Sequence, residues 1–318
     1  MFDDHSSVRR PLLAVVGATA TGKSDVAIAL AKTFDGEVVN TDAYQLYRGL
    51  DIGAAKLDAA TRQRVPHHMI DITDPDEPLT LAGYLDAANA AMEDVWSRGR
   101  LPILAGGSGQ YVWAIIEGWQ VPRVAPDKAL RDELEAFATA EGPAAVHARL
   151  AAIDPEAASR LDPNNLRRVV RALEVVTCTG LPLAACQTRS PVDADVFILG
   201  LRLDRDEHYR RLDQRAEAMF AAGLVGEVKD LRDQGYGETQ QLRGGIGYKE
   251  VSQYLEGDID LDEALRRTKN ANHRLVRRQG AWFKDTDPRI HWLDAGNLLI
   301  ESSITVVADW LRSRQQSY

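Results

Sequence analysis

The chain is predicted to be an α/β protein: a parallel sheet flanked by helices and interrupted by an all-helical insertion. Three observations carry the prediction. Short apolar runs alternate with amphipathic segments through the first third of the chain. Strand signals stop between 124 and 196 and then return. The first apolar run, Leu12–Val16, breaks directly into the glycine-rich stretch 17–24. Buried strands separated by amphipathic helices need a sheet covered on both faces, which is the parallel arrangement.

In chain order, Leu12–Val16 is a strand and Asp25–Lys32 a helix. Glu37–Thr41 is a second strand and Met69–Ile72 another. Thr80–Arg98 is helical, and the strand Leu101–Ala105 runs into Gly106-Gly107-Ser108-Gly109. From 126 to 180 the chain reads as helices with marked ends. Asp154-Pro155 and Asp162-Pro163 each pair an N-cap with proline at the first helical position, and Gly142 and Gly180 act as stops. Val196–Leu201 restores the strand pattern, after which helices dominate. The expected organisation is a core over 1–123 and 197–318 with a helical insertion over 124–196.

Composition excludes some classes. The 318 residues carry a net charge of −9, with 45% hydrophobic and 27% charged side chains. That balance fits a soluble enzyme and argues against a nucleic-acid coat protein or a membrane-surface protein, while leaving room for a local basic site. Cys178 and Cys186 have no metal-ligand spacing and read as reduced thiols. No stretch approaches about 18 apolar residues. The first ten residues, with Asp3, Asp4, Arg9 and Arg10, lack the apolar centre of a secretory signal. A cytoplasmic protein with no membrane partner is expected.

The stretch Gly17, Ala18, Thr19, Ala20, Thr21, Gly22, Lys23, Ser24 is a P-loop. Its consecutive N–H groups converge on a polyphosphate, Lys23 reaches over the anionic oxygens, and the Ser24 hydroxyl can ligate Mg²⁺. The loop does not say which phosphate compound it holds. Ligands of such sheets sit at the carboxyl ends of the strands, so the P-loop, the Thr41-Asp42 corner and the Gly106–Gly109 turn aim at one crevice. Asp42 can serve there as a metal-shell ligand or a general base, or it can cap the next helix. His67 and His68, adjacent on an extended segment, point to opposite sides, which favours packing and hydrogen bonding over a shared metal.

Basic residues gather in three places. In the helix at 164–179, Leu166, Val169, Val170, Leu173 and Val176 form the apolar stripe and Arg167, Arg168 and Arg171 lie outside it. That face suits either solvent or phosphate. Residues 264–284 hold Arg266, Arg267, Lys269, Arg274, Arg277, Arg278 and Lys284 without one acid. On a helix Arg274 and Arg278 each fall within about 20° of Arg267, a pattern that looks like an RNA contact. Ala264, Ala271, Leu275 and Trp282 share a second stripe, which assigns Trp282 to the core. Arg211 and Arg215, one turn apart, can clamp a leaving phosphate or stand as an exposed pair.

Taken in order over nearly the whole chain, these residues resemble the bacterial tRNA dimethylallyltransferases, the isopentenyl-tRNA transferase family. The resemblance rests on 17–24, Asp42–Gly53, Pro66–Asp71, Gly106–Tyr111, Arg168–Glu174, Ile246–Glu250, Arg277-Arg278-Gln279 and Trp282-Phe283. It implies a P-loop NTPase-like core in which the loop and Arg215 hold the diphosphate of dimethylallyl diphosphate. Mg²⁺ would sit at Ser24, and no nucleotide would be hydrolysed. The acceptor would be N6 of the adenine 3′ of the anticodon in tRNAs reading U-initial codons. Asp42 would act as general base, Ser108 would stand where the family has a threonine at the reacting centre, and Lys23 would meet the leaving group. The resemblance places Asp42, Ala43, Tyr44, Gln45, Ser108, Arg131, Arg167, Arg168, Arg171, Gly247, Tyr248, Arg277, Arg278, Gln279 and Trp282 against the tRNA. It also sets the insertion against the anticodon stem-loop, and a monomer is expected. The chain departs from the family pattern at Ala18, Thr21 and Ser24, which keep the backbone cradle and a hydroxyl for Mg²⁺, at Ala43, which replaces a frequent serine and removes one hydrogen bond near the base, and at Ser108, which lacks the methyl of threonine. Three other readings share the P-loop: an adenylate prenyltransferase, a small-molecule kinase, and a non-catalytic RNA-binding switch.

Overall fold

Leu12 to Val16 have no exposed surface at all, as expected of a central strand covered on both faces. The structure is a computed structural model describing residues 9–77 and 79–316; Asp3 and Asp4 of the polar N-terminal reading lie outside them. The strands are β1 (Arg10–Gly17), β2 (Gly36–Asn40), β3 (His67–His68), β4 (Leu101–Ala105), β5 (Ala194–Arg202) and β6 (Ile290–Asp294). They form one sheet in the order β3-β2-β4-β1-β5-β6, with every neighbouring pair parallel. β1 is flanked by β4 and β5, so the chain leaves its carboxyl end at the point where strand order reverses. Open α/β sheets bind ligands there. β1 and β5 stay in register from Arg10↔Ala194 to Gly17↔Leu201. Gly17, at φ +138°, is the last paired residue, and a Cβ there would overlap the Leu201 carbonyl, so the position takes glycine.

Three local expectations change. Met69–Ile72 is not a strand: β3 is only His67–His68, and Met69 and Asp71 take left-handed φ values of 62° and 56°. The two histidines have separate partners. His67 Nδ1 lies 2.6 Å from the Val65 carbonyl, and His68 Nε2 lies 2.6 Å from buried Glu37. Asp154 does cap the helix Pro155–Arg160, but Asp162 caps a turn, and the next helix, Leu166–Thr179, starts from Asn165. β6 falls inside the region expected to be helical. Its five residues are flanked by short turns and alternate poorly, leaving only Ile290 fully buried.

The chain forms two compact units: the part up to Ile116 with the part from Asp193, and the segment Glu117–Val192. The insertion therefore begins at 117 rather than 124 and ends before 196. Its two ends close on each other, with Ser190 N donating to Gly118 O at 2.9 Å and Gln120 N to Thr188 O at 2.8 Å, while β5 has already begun at Ala194. Helices Lys128–Glu141, Pro143–Ile153, Pro155–Arg160 and Leu166–Thr179 bury a small core around Leu134, Val146, Leu150, Val169 and Leu173. Gly142 and Gly180 stop the helices at 141 and 179 as expected. Cys178 and Cys186 are unpaired thiols. Among the described residues no helix is long and apolar enough to cross a membrane.

Candidate active site

Three strand ends build the site. After β1, Ala20 is held left-handed at φ 66°, a costly conformation for a residue with a Cβ. Thr21, buried, donates its hydroxyl to Ala18 O at 2.9 Å. Lys23 opens the helix Lys23–Thr33, and its Nζ folds back to donate to Ala18 O at 2.6 Å. Burial pulls the Lys23 ammonium down to about 7; Asp42 opposes this and Arg215 adds to it. Ser24 is exposed and lines the same cavity.

At the end of β2, buried Asn40 fixes the Asp42 corner from both sides. Its Oδ1 accepts from Asp42 N at 3.0 Å, and its Nδ2 donates to the carbonyls of Asp42 and Met69 at 3.1 and 2.9 Å. Asp42 caps no helix: one carboxylate oxygen accepts from Tyr44 N at 2.9 Å, while the residue lines the cavity. After β4, Ser108 Oγ accepts from Ala43 N at 3.2 Å, which ties the two loops together. The cavity between these strand ends measures ≈ 310 Å³, and its walls include Thr19, Lys23, Ser24, Asp42, Gly106 and Arg215.

Thr19 is gripped on every polar group it has. Its N–H donates to Gln279 Oε1 at 2.8 Å, its carbonyl meets His208 Nε2 at 2.7 Å, and its hydroxyl accepts from Arg215 Nη1 at 2.9 Å. Burial lowers the pKa of both His208 and Arg215. Arg211 also reaches the cavity but pairs with Glu207 at 2.6 Å.

The family model described as IPP transferase matches residues 45–286, and one described as isopentenyl transferase matches 11–71. The chain belongs to the IPP transferase family. A tRNA dimethylallyltransferase of Roseiflexus sp. is 47% identical over 302 residues, covering 95% of this chain and 99% of that protein. One from Salinispora tropica is 47% identical over 93% and 92% of the two chains. Among solved structures, the full-length tRNA isopentenylpyrophosphate transferase of Bacillus halodurans is similar, with a TM-score of 0.71 and 38% identity over 97% and 98% of the chains. A eukaryotic dimethylallyltransferase acting on tRNA has a TM-score of 0.81 at 27% identity, covering 96% of this chain and 80% of that one.

Within this IPP transferase the expected RNA-facing residues separate into groups. Ala43, Tyr44 and Gln45 are half-buried beside Asp42, with Gln45 on the cavity wall. Arg167 and Arg168 are exposed on their helix. Arg131 and Arg171 are half-buried, and both clamp buried Glu174, at 2.5–2.8 Å and 2.9 Å. Tyr248 has no exposed surface. Its ring stacks parallel to Tyr44 with centroids 6.2 Å apart, and its hydroxyl donates to Glu227 at 2.8 Å. Gly247, at φ 88°, is the turn that delivers it. Gln279, buried, belongs to the phosphate loop rather than to a surface.

On the helix Leu261–Gly280, Arg266 and Arg267 pair with Glu263 and Lys269 pairs with Glu217. Arg274, Arg277 and Arg278 are exposed. Its buried face is Ala264, Thr268, Ala271 and Gln279, continued by Phe283. Trp282 is therefore not the core aromatic. It is 38% exposed, mounted over Gly109, where any Cβ would collide with its ring, and its carbonyl accepts from Trp113 Nε1 at 2.9 Å. Sequence reasoning missed Asn40, His208 and Glu227. Asn40 alone carried a signal, as a polar residue closing an otherwise apolar strand.

Proposed function

We propose that this chain transfers the dimethylallyl group of dimethylallyl diphosphate to N6 of the adenine 3′ of the anticodon, in tRNAs reading U-initial codons. One observation carries the reading: a single cavity holds a carboxylate, Asp42, together with the phosphate-loop cations Lys23 and Arg215. N6 is a poor nucleophile because its lone pair is delocalised into the ring. Asp42, accepting its hydrogen bond, orients the amine and takes its proton as N6 bonds to the allylic carbon. The carbon–oxygen bond breaks and its electron pair leaves with diphosphate. The growing charge meets Lys23, Arg215 and the N–H groups of 20–24. Ser108, which holds Ala43 N, keeps the Asp42 corner at the reacting centre. The base leaves the anticodon-loop stack to reach this depth.

Mg²⁺ fits the donor set. Among the described residues no group of three His, Cys, Asp or Glu forms a cage, and Ser24 offers its hydroxyl at the cavity. That suits an ion completed by substrate phosphate and water. When bound, Mg²⁺ neutralises diphosphate charge. We also assign the exposed Arg167, Arg168, Arg277, Arg278 and Trp282 to the anticodon stem-loop. The enzyme acts as a cytoplasmic monomer in this reading.

The test incubates the protein with Mg²⁺, labelled dimethylallyl diphosphate and unmodified tRNA. Label is expected in the tRNA and is lost when the adenine becomes guanine. Label on AMP instead identifies an adenylate prenyltransferase, and phosphate release from ATP alone identifies a kinase or switch. Asp42→Asn keeps the acceptor for Tyr44 N while removing the base. It is expected to lower the single-turnover rate at least about 100-fold with tRNA affinity unchanged. An unaltered rate removes Asp42 from the chemistry.

A further inference from the structure

We propose that Gln279 is a positioning residue of the transfer reaction, holding the phosphate loop and the Ser108 loop in register with the basic C-terminal helix. The proposal rests on the prenyl-transfer reading above. Gln279 ends the helix Leu261–Gly280, where a primary amide ordinarily faces water, yet it is only 9% exposed. Both ends of the amide are used. Oε1 accepts from Thr19 N at 2.8 Å, and Nε2 donates to Gly107 O at 3.1 Å. A Cβ at 107 would overlap Nε2, so the amide lies directly against that backbone.

The Thr19 N–H is thus engaged by Gln279, and the shape of the phosphate loop at this corner is set from outside it. His208 and Arg215 hold the other two polar groups of Thr19. The next residue, Ala20, keeps its left-handed φ of 66° beside this anchor. Such strain persists only where the surroundings over-determine it. Gly107, at the other end of the amide, precedes Ser108, which ties to Ala43 beside Asp42. One side chain therefore joins the diphosphate cradle to the loop next to the proposed base. It does so from a helix whose last turn also exposes Arg277 and Arg278.

Two variants test this. Gln279→Met keeps the volume and removes both bonds. Gln279→Glu keeps the acceptor for Thr19 N and regains a donor for Gly107 O only when protonated, the form that burial favours. Calorimetry reads affinity for dimethylallyl diphosphate and for inorganic diphosphate, and steady-state transfer reads kcat and KM. Gln279→Met is expected to weaken both affinities about tenfold because the phosphate loop and the Ser108 loop lose their shared tie, and to lower the melting temperature because the Gly107 carbonyl is left without its buried partner, with tRNA affinity near that of the unaltered protein. Gln279→Glu is expected to recover as pH falls, measured as a ratio to the unaltered protein at each pH. In that ratio the titrations of Lys23 and His208 beside Arg215 cancel. If Gln279→Met does not fold, the Gln279→Glu series carries the test. Unaltered diphosphate affinity in both variants overturns the proposal, as does equal impairment at every pH. If the unaltered protein transfers no prenyl group to tRNA, the functional reading fails instead, and the inorganic diphosphate arm still reads the tie.

Discussion

Lys23 carries the sharpest consequence at the scale of one residue. Its ammonium is buried, folded onto Ala18 O, and held down to about 7. A bound diphosphate supplies the negative charge that raises it again. Below about pH 7 the lysine is already charged and binding moves no proton through it. Above that value binding takes a proton up, so donor affinity falls by up to about tenfold per pH unit until the bound-state pKa is reached. Calorimetry in buffers of different ionisation heat is expected to detect this uptake. Lys23→Arg, charged throughout, should abolish it. Uptake that persists in Lys23→Arg would assign the proton to another group. Lys23, Ser24 and Asp42 were legible in the sequence because a P-loop and a strand end place their residues by local geometry. Gln279 and Tyr248 were legible as motif members but not as buried ones. Their partners, Thr19 and Glu227, lie 260 and 21 residues away, and a polar side chain beside two arginines reads as surface.

Among the elements, the helix Leu166–Thr179 separates two kinds of arginine that the sequence treated alike. Its buried face matched the apolar stripe, but Glu174 also belongs to that face, fully buried. A buried carboxylate draws in cations. Arg131 answers it with two N–H groups and Arg171 with one, and Asp127 N adds a fourth donor at 3.0 Å. Desolvation raises the Glu174 pKa, yet these bonds outweigh it and hold the carboxyl below its ordinary value. Arg131→Ala removes two of the hydrogen bonds to that charge and is expected to destabilise the Glu117–Val192 unit by about 2 kcal/mol, seen as earlier thermal unfolding. Arg167→Ala with Arg168→Ala is expected to shift stability by no more than about 0.5 kcal/mol while weakening tRNA binding in a filter assay. The reverse assignment of the two effects would restore Arg131 to the RNA surface. The failed strand at Met69–Ile72 has a similar origin. Its apolar residues suit a strand, but Asp71 is taken by Lys56 and Arg62 at 2.5 and 2.8 Å, and the chain turns left-handed to meet them.

For the whole molecule, the alternation of short buried strands with helices was enough to predict a parallel sheet, because that pattern is local. The strand order was not predictable, since it depends on which strands meet after the crossovers, and β6 escaped notice for want of a continuous apolar run. Charge is the other property of the whole. The chain is acidic overall at −9, yet the acid-free stretch 264–284 survives in the fold as a smaller cationic face than the sequence suggests. Glu263, Glu217 and Asp213 engage Arg266, Arg267, Lys269 and His273. Arg274, Arg277 and Arg278 stay exposed, and among the described residues no acid pairs with them. Uncompensated cations of this kind release counterions when they meet phosphate, so tRNA affinity should fall linearly with salt on logarithmic axes. Replacing Arg277 and Arg278 together by alanine is expected to weaken tRNA binding about tenfold at low salt and to reduce the slope by about 1.4, roughly 0.7 for each single-stranded phosphate no longer neutralised. The two binding curves should then converge at high salt, and donor affinity should not change. A salt slope identical to that of the unaltered protein would place the tRNA on another face.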